Sequence, residues 1–456
     1  MTRVLLGTHM PEAVLSHHQR HADLCLHWGQ QRYNALVNLS ALIPLVREKL
    51  PPVLLDLLDI AIGVYLADIA VLRGRNEAWT RTYDMLIPAR NRTFWQHNRD
   101  RLTAMLHALT RDNFRLDFCS HQPQLELLEP GGDGEQAFGA EEAAQQIDCA
   151  SALSGGLDSL AGAVMLMRTD RSPLFVMHQS GNPDVRASQS TVMDTLESFR
   201  PGRGVFTGLL VQPRSAPNAR FAFPASRERE PSRRSRSLLF MTLLITGAYI
   251  AGVQEAYLCE NGILSVALPL SSGRIGGLST RSTHPAVLAD FNSLLQAADI
   301  PVTLVNPFIY QTKAELIRDI LRPVLTPDQI RSTISCWMVG RRNRQCGGCV
   351  PCLLRRLSLL AAGLPDEAYE TDPLACPDDY RGTDAYGNVM DLLSQAVYMR
   401  SATDAQLLMH WPQLLDLPTV GVSIEDALAT YRRFADEVWE TVHQHFPESA
   451  RLMEAG

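Results

Sequence analysis

Residues 154–159 read Ser-Gly-Gly-Leu-Asp-Ser, directly after the apolar run Ile147–Leu153. That order places a loop of small residues where a buried strand turns into a helix. The first N–H groups of such a helix lack partners within it, and its dipole is positive there, so the loop is an anion cradle. Gly155 and Gly156 allow a tight bend and a close approach of main chain to an anion. Ser154 and Ser159 add hydroxyl donors, and Asp158 offers a carboxylate to Mg2+. The whole run, with Leu157, is the expected phosphate-binding element. A strand-to-helix turn capped by Ser and Asp is the plain alternative. No Gly-x-x-x-x-Gly-Lys-Ser/Thr loop occurs, so transfer of a terminal phosphate is not the first expectation.

A second cluster is Cys336, Cys346, Cys349 and Cys352, spaced C-x9-C-x2-C-x2-C. Gly347 and Gly348 form a knuckle that lets the thiolates converge, and Pro351 suits the first turn of a helix. Four thiolates make a closed structural Zn2+ site with no open position for water. An iron–sulfur cluster is the competitor, disfavoured because no redox partner motif accompanies it.

Of the 42 basic residues only Lys49 and Lys313 are lysine. A lysine kept against so strong an arginine bias reads as a compact ammonium with a task, or as a chance survivor. Seven arginines lie between Arg214 and Arg236. Most of them read as a solvated loop.

The elements that must position these residues follow from periodicity. From 146 to 364, short apolar runs (147–153, 173–178, 205–211, 255–260, 302–306) alternate with helical stretches (158–167, 189–199, 235–253), which predicts a mostly parallel sheet with helices on both faces. Ligands in such α/β sheets sit at the carboxyl ends of strands, where 154–159 falls. Residues 1–145 read as an N-terminal α+β extension, with helices at 52–71 and 94–109, strands at 82–88 and 113–118, and a linker at 129–136. Residues 365–456 read as a C-terminal helical segment, 388–408 and 424–446.

Length and charge narrow the class. At 456 residues with net charge −7, the chain has room for two or three domains and no overall bias toward nucleic acid. The longest apolar stretch, 238–253, is too short to span a membrane and reads as a buried helix. With no signal peptide visible and nine cysteines, the expected compartment is the reducing cytoplasm.

The string Ser-Gly-Gly-x-Asp-Ser resembles the PP-loop of ATP pyrophosphatases (adenine nucleotide alpha hydrolase-like), which split ATP between its α and β phosphates. Followed by Asn306-Pro-Phe, Lys313-Ala-Glu-Leu, Ser335-Cys336 and the three-cysteine knuckle, it resembles 7-cyano-7-deazaguanine synthase, the QueC family, over about residues 147–362. The resemblance implies a PP-loop domain with a structural Zn2+ and ATP-driven activation of 7-carboxy-7-deazaguanine. It implies that Ser154–Ser159 hold pyrophosphate with Mg2+ on Asp158, that Lys313 neutralises the reacting phosphates, and that Arg234 and Arg236 lie in a basic phosphate-binding segment. Glu260 and Asn261, ending a predicted strand, are the expected readers of a base edge, since a guanine-like edge offers donors that a carboxylate accepts. Arg281 and His284 lie in a loop that could close over the substrate, though His284 reads equally as a structural loop histidine.

The long extension, Glu260-Asn261-Gly262 and the run Leu278–Pro285 resemble QueC-like proteins of antiphage defence operons, of the Qat and type IV CBASS kinds. That resemblance implies that the activated carboxylate is captured by an amine of a partner protein, its amino terminus first. The other readings are a nitrile-forming synthase using ammonia, a tRNA-thiolating enzyme, and a zinc-stapled scaffold that only binds nucleotide.

Overall fold

The structure is a computed structural model that describes residues 1–29, 32–74, 79–122, 128, 147–179, 181–269, 283–336 and 345–455. Among these, ten strands form two sheets. The first contains β1 (Thr2–Leu6), β2 (Leu24–Leu26), β4 (Thr82–Ala89) and β5 (Asn113–Ser120), in the order β2-β1-β4-β5. Every neighbouring pair in it is parallel. The second contains β6 (Cys149–Ala152), β7 (Pro173–His178), β8 (Val205–Gln212), β9 (Glu255–Tyr257), β10 (Thr303–Val305) and β3 (Leu36–Asn38), in the order β10-β9-β6-β7-β8-β3. Its pairs are parallel except for β3, which runs antiparallel to β8.

The amino-terminal part therefore differs from the expected α+β extension. Its strands are joined by helical crossovers and all run one way, so it is α/β, and it lends β3 to the larger sheet. The two sheets share one hydrophobic core. Helices Pro52–Ala70 and Arg236–Ile250 pack against each other between them, so both are apolar nearly all round rather than along one stripe. Each bears a glycine where it meets a strand. A Cβ at Gly63 would come within 2.5 Å of Leu6, and one at Gly247 within 2.9 Å of Val176. Gly63 is a point of close contact inside an unbroken helix.

The carboxyl-terminal segment is helical, as expected, and has its own core. The predicted run 388–408 is two helices, Asp384–Ser401 and Asp404–His410. Thr403 ends the first by N-capping the second, in a reciprocal box with Gln406. These helices and the longer Ile424–His445 pack around Val350–Ala361, which carries Cys352. No described helix is long and apolar enough to cross a membrane.

Candidate functional site

β6 is central in the second sheet, and its carboxyl end delivers Ser154 to the helix Leu157–Arg168, with Gly156 as N-cap. Gly155 has φ +84°, a conformation open to glycine at little cost. Inside the bend, the Ser154 and Ser159 hydroxyls are 3.0 Å apart. The Ser159 hydroxyl donates to the Gly156 carbonyl and accepts from the Ser154 N–H, while the Gly156 N–H donates to the Ser154 hydroxyl. The loop is thus a closed ring of short polar contacts beneath a helix amino terminus.

Asp158, one residue into the helix, is buried, and so is Lys313; the two form an ion pair. The other Asp158 oxygen accepts from the Asn261 backbone N–H (3.2 Å) and side-chain amide (2.7 Å). Lys313 begins a short helix capped by Thr312 and Glu315 in a reciprocal box, and the Thr312 hydroxyl also donates to Glu437 at 2.8 Å. Burial pushes Glu437 up to about 7 against the pull of that hydroxyl. Glu437 lies on the helix Ile424–His445, whose Arg433 also binds Glu315 and the Tyr310 carbonyl. The helix Ile424–His445 therefore braces the turn that carries Lys313.

Glu260 follows β9, beside β6 in the sheet. Its backbone is fixed by Asn306, which accepts from the Glu260 N–H (3.1 Å) and donates to the Glu260 carbonyl (2.8 Å). Its carboxylate accepts from the Thr283 hydroxyl, which itself touches Ser265. Loss of hydration raises Glu260 to about 7. The Asp158 charge adds to the rise, while Thr283 and Lys313 oppose it. Asn261, expected on a base edge, instead uses its amide on Asp158 and its carbonyl oxygen to cap the helix Gly262–Val266 through the Leu264 N–H. His284 caps the helix Pro285–Ala297 by accepting from the Ala286 N–H at 3.3 Å, the structural-histidine alternative. Arg281 lies outside the described residues.

The two arginines part company. Arg236 is exposed at the start of its helix, its guanidinium 5.4 Å from the Phe240 ring. Phe240 and Tyr65 flank His178 at the end of β7. Burial lowers His178 to about 4, so it is neutral at physiological pH. Arg234 is buried over Trp79, 4.6 Å from the ring centroid, near Arg73, Asp68 and Asp112. Burial lowers even its guanidinium to about 10. Arg234 belongs to the network joining helix Pro52–Ala70 to helix Arg236–Ile250, in which Asp68 accepts from the Ser235 N–H and hydroxyl at 2.8 Å.

The four cysteines of the knuckle converge. All four Sγ atoms lie within 4.8 Å of one another, with Cys346–Cys352 at 3.8 Å and Cys336–Cys349 at 3.9 Å. Sulfurs about 2.3 Å from a central zinc in a tetrahedron are ~3.8 Å apart, so the donor set fits that ion. Gly347 (φ +82°) turns the knuckle so closely that a Cβ would sit 2.0 Å from the Thr371 carbonyl. Magnesium fits less simply, because the Asp158 oxygens already face Lys313 and Asn261. A magnesium ion held there would share the Asp158 carboxylate and would need phosphate and water for its remaining ligands.

Some contributors escape the sequence reading wholly and others in part. Ser188 and Gln189, on the helix Pro183–Phe199, pack on Gly155, and no motif marks them. Asn306 is visible as the start of Asn-Pro-Phe, but its two bonds to Glu260 are not. The Thr312-x-x-Glu315 box is legible as a helix start.

A strand-end loop of small residues, a buried lysine–carboxylate pair and a four-thiolate knuckle make up the candidate site. A family model described as "Queuosine biosynthesis protein QueC" matches residues 282–363, spanning Lys313 and all four cysteines. The match makes this segment similar to QueC, a family of ATP-dependent, synthase-like enzymes. No curated protein matches the chain.

Proposed function

We propose that the chain adenylates the carboxylate of 7-carboxy-7-deazaguanine with ATP and hands the acyl group to an amine, the amino terminus of a partner protein encoded beside it in a defence operon. The observation that carries this reading is the buried Asp158–Lys313 pair at the mouth of the Ser154–Ser159 loop. A buried ammonium held beside an anion cradle is suited to phosphates that change charge during reaction.

In the first step a carboxylate oxygen of the substrate attacks the α-phosphorus and the bond to the β-phosphate oxygen breaks. Pyrophosphate leaves into the loop, where the Ser154 and Ser159 hydroxyls, the N–H groups of 155–157 and Lys313 meet it. Arg236 adds charge from the start of the helix Arg236–Ile250. A cation at a helix amino terminus opposes the dipole, so an arriving phosphate relieves that repulsion. Glu260 accepts from the base edge. In the second step the amine nitrogen attacks the carbonyl carbon, the bond to the phosphate oxygen breaks, AMP leaves, and the amine gives up a proton. Zinc on Cys336, Cys346, Cys349 and Cys352 supplies a structural cross-link, and no step passes through it.

A second reading, favoured by the description of the matching family, is a synthase that uses ammonia and continues to the nitrile. ATP, 7-carboxy-7-deazaguanine and ammonium should together yield AMP and pyrophosphate. Release of ADP would remove adenylation from both readings. Intact-mass analysis of a co-expressed neighbouring protein separates them: an added deazaguanine supports protein capture, whereas an unmodified neighbour beside free nitrile supports the synthase.

A further inference from the structure

The Gly155 carbonyl is held by two donors from outside the loop. The Ile334 N–H reaches it at 3.0 Å, and so does the Ser188 hydroxyl. Ser188, which is buried, also lies 3.2 Å from the Ser332 carbonyl, so its one hydroxyl proton is shared between the loop and the segment 332–336. That strap ends at Cys336. Further along it, the Ser335 N–H donates to Gln345, and the Cys346 N–H points at the Cys336 sulfur (3.4 Å). The helix Val350–Ala361, which follows Cys349, grips the other end. Its fully buried Arg355 donates to the Thr333 hydroxyl (2.8 Å) and the Arg331 carbonyl (2.9 Å).

A peptide has two faces. Turning a carbonyl toward one side presents its neighbouring N–H groups to the other, and a cradle for an anion works only while its carbonyls point away. Two donors on the Gly155 oxygen hold the working orientation. One comes from helix Pro183–Phe199, the other from a strap anchored in the four-cysteine knuckle.

We infer that Ser188 and the strap 332–336 are positioning elements for the anion loop, so that zinc at the four-cysteine site and pyrophosphate at Ser154–Ser159 favour each other's binding. The inference rests on the proposed function in taking pyrophosphate as the loop's ligand. Zinc fixes Cys336, Cys336 fixes the strap, and the strap holds Gly155 in the anion-binding form. Linkage makes the effect reciprocal.

The test is calorimetric titration of inorganic pyrophosphate, with magnesium present, into the full chain. Zinc-loaded wild type, zinc-stripped wild type, zinc-loaded Ser188→Ala and zinc-loaded Ser188→Thr are compared. Circular dichroism and metal content are read on each. Ser188→Ala should keep its zinc and its helix content and bind pyrophosphate about tenfold more weakly, the effect of one lost hydrogen bond. Ser188→Thr, which retains the hydroxyl, should recover most of that loss. Zinc-stripped wild type that stays folded should weaken at least as much. Ser188→Ala binding like wild type overturns the positioning role. Folded, zinc-free wild type binding like the loaded protein overturns the coupling. If stripping unfolds the chain, Ser188→Ala against Ser188→Thr still decides the positioning role. Failure of wild type to bind pyrophosphate at all would instead remove the proposed function beneath it.

Discussion

Lys313→Met isolates the feature on which the site turns. In the native chain the Lys313 ammonium and the Asp158 carboxylate face each other with side chains 9% and 10% exposed. Removing the ammonium leaves a buried carboxylate with, among the described residues, only the Asn261 donors for company. Breaking a buried pair from one side costs about 3–5 kcal/mol, a large part of the ~5–15 kcal/mol that holds a domain folded. Asp158→Asn breaks the pair from the other side: it keeps an oxygen for Asn261 but leaves the Lys313 ammonium buried beside an amide, so it should cost a similar amount. Asp158→Asn with Lys313→Met should then recover most of the stability, since no unpaired charge remains, while releasing no AMP. Urea denaturation of the four zinc-loaded proteins gives the coupling energy of the cycle. A Lys313→Met variant within about 1 kcal/mol of wild type would refute the reasoning, because the pair would then be solvated. A double variant no more stable than Lys313→Met alone would refute it equally.

Glu260 and the cysteine knuckle give two further expectations. Because burial raises Glu260 to about 7, its contribution to stability is fully present below the ordinary carboxyl range and is lost as pH rises through about 7. Glu260→Gln, which keeps an acceptor for Thr283, should therefore gain on wild type between pH 5 and pH 8, by up to ~3 kcal/mol. A melting-temperature difference flat with pH would show that Glu260 titrates normally. Cys349→Ser should lower zinc content and thermal stability together, from about one zinc per chain in wild type. Retention of full zinc, or brown iron-containing protein, would contradict a four-thiolate zinc site.

Much of the local structure at the candidate site was legible from short-range pattern. The loop at Ser154–Ser159 and the four cysteines declare themselves because glycine at a strand end and thiols two residues apart have few other uses. The strands 82–89, 113–120, 173–178 and 205–212 are visible as apolar or alternating runs, and Lys313 stands out against a background of arginine. Long-range pairing was not legible. β1 is five residues at the start of the chain, too short to be told from a stray apolar run, yet it is central in its sheet and makes the extension α/β. Arg234 and Arg236 look alike in sequence. Only the packing of Trp79 and Asp68 shows that one is buried in an ion network and the other faces outward. Asn261 reads as a base-edge reader until Asp158, more than a hundred residues earlier, is found bonded to it.

The antiparallel strand Leu36–Asn38 has a bearing on how the molecule assembles. During synthesis it leaves the ribosome roughly 170 residues before Leu210, the partner of Asn38, and closing so long a loop is slow compared with local folding. The segment that seals one border of the larger sheet is therefore among the first made, yet it cannot dock until β8 has followed it. Until it does, the β8 border stays open to pairing with another chain. Nascent chains are most vulnerable to mutual sticking during that interval.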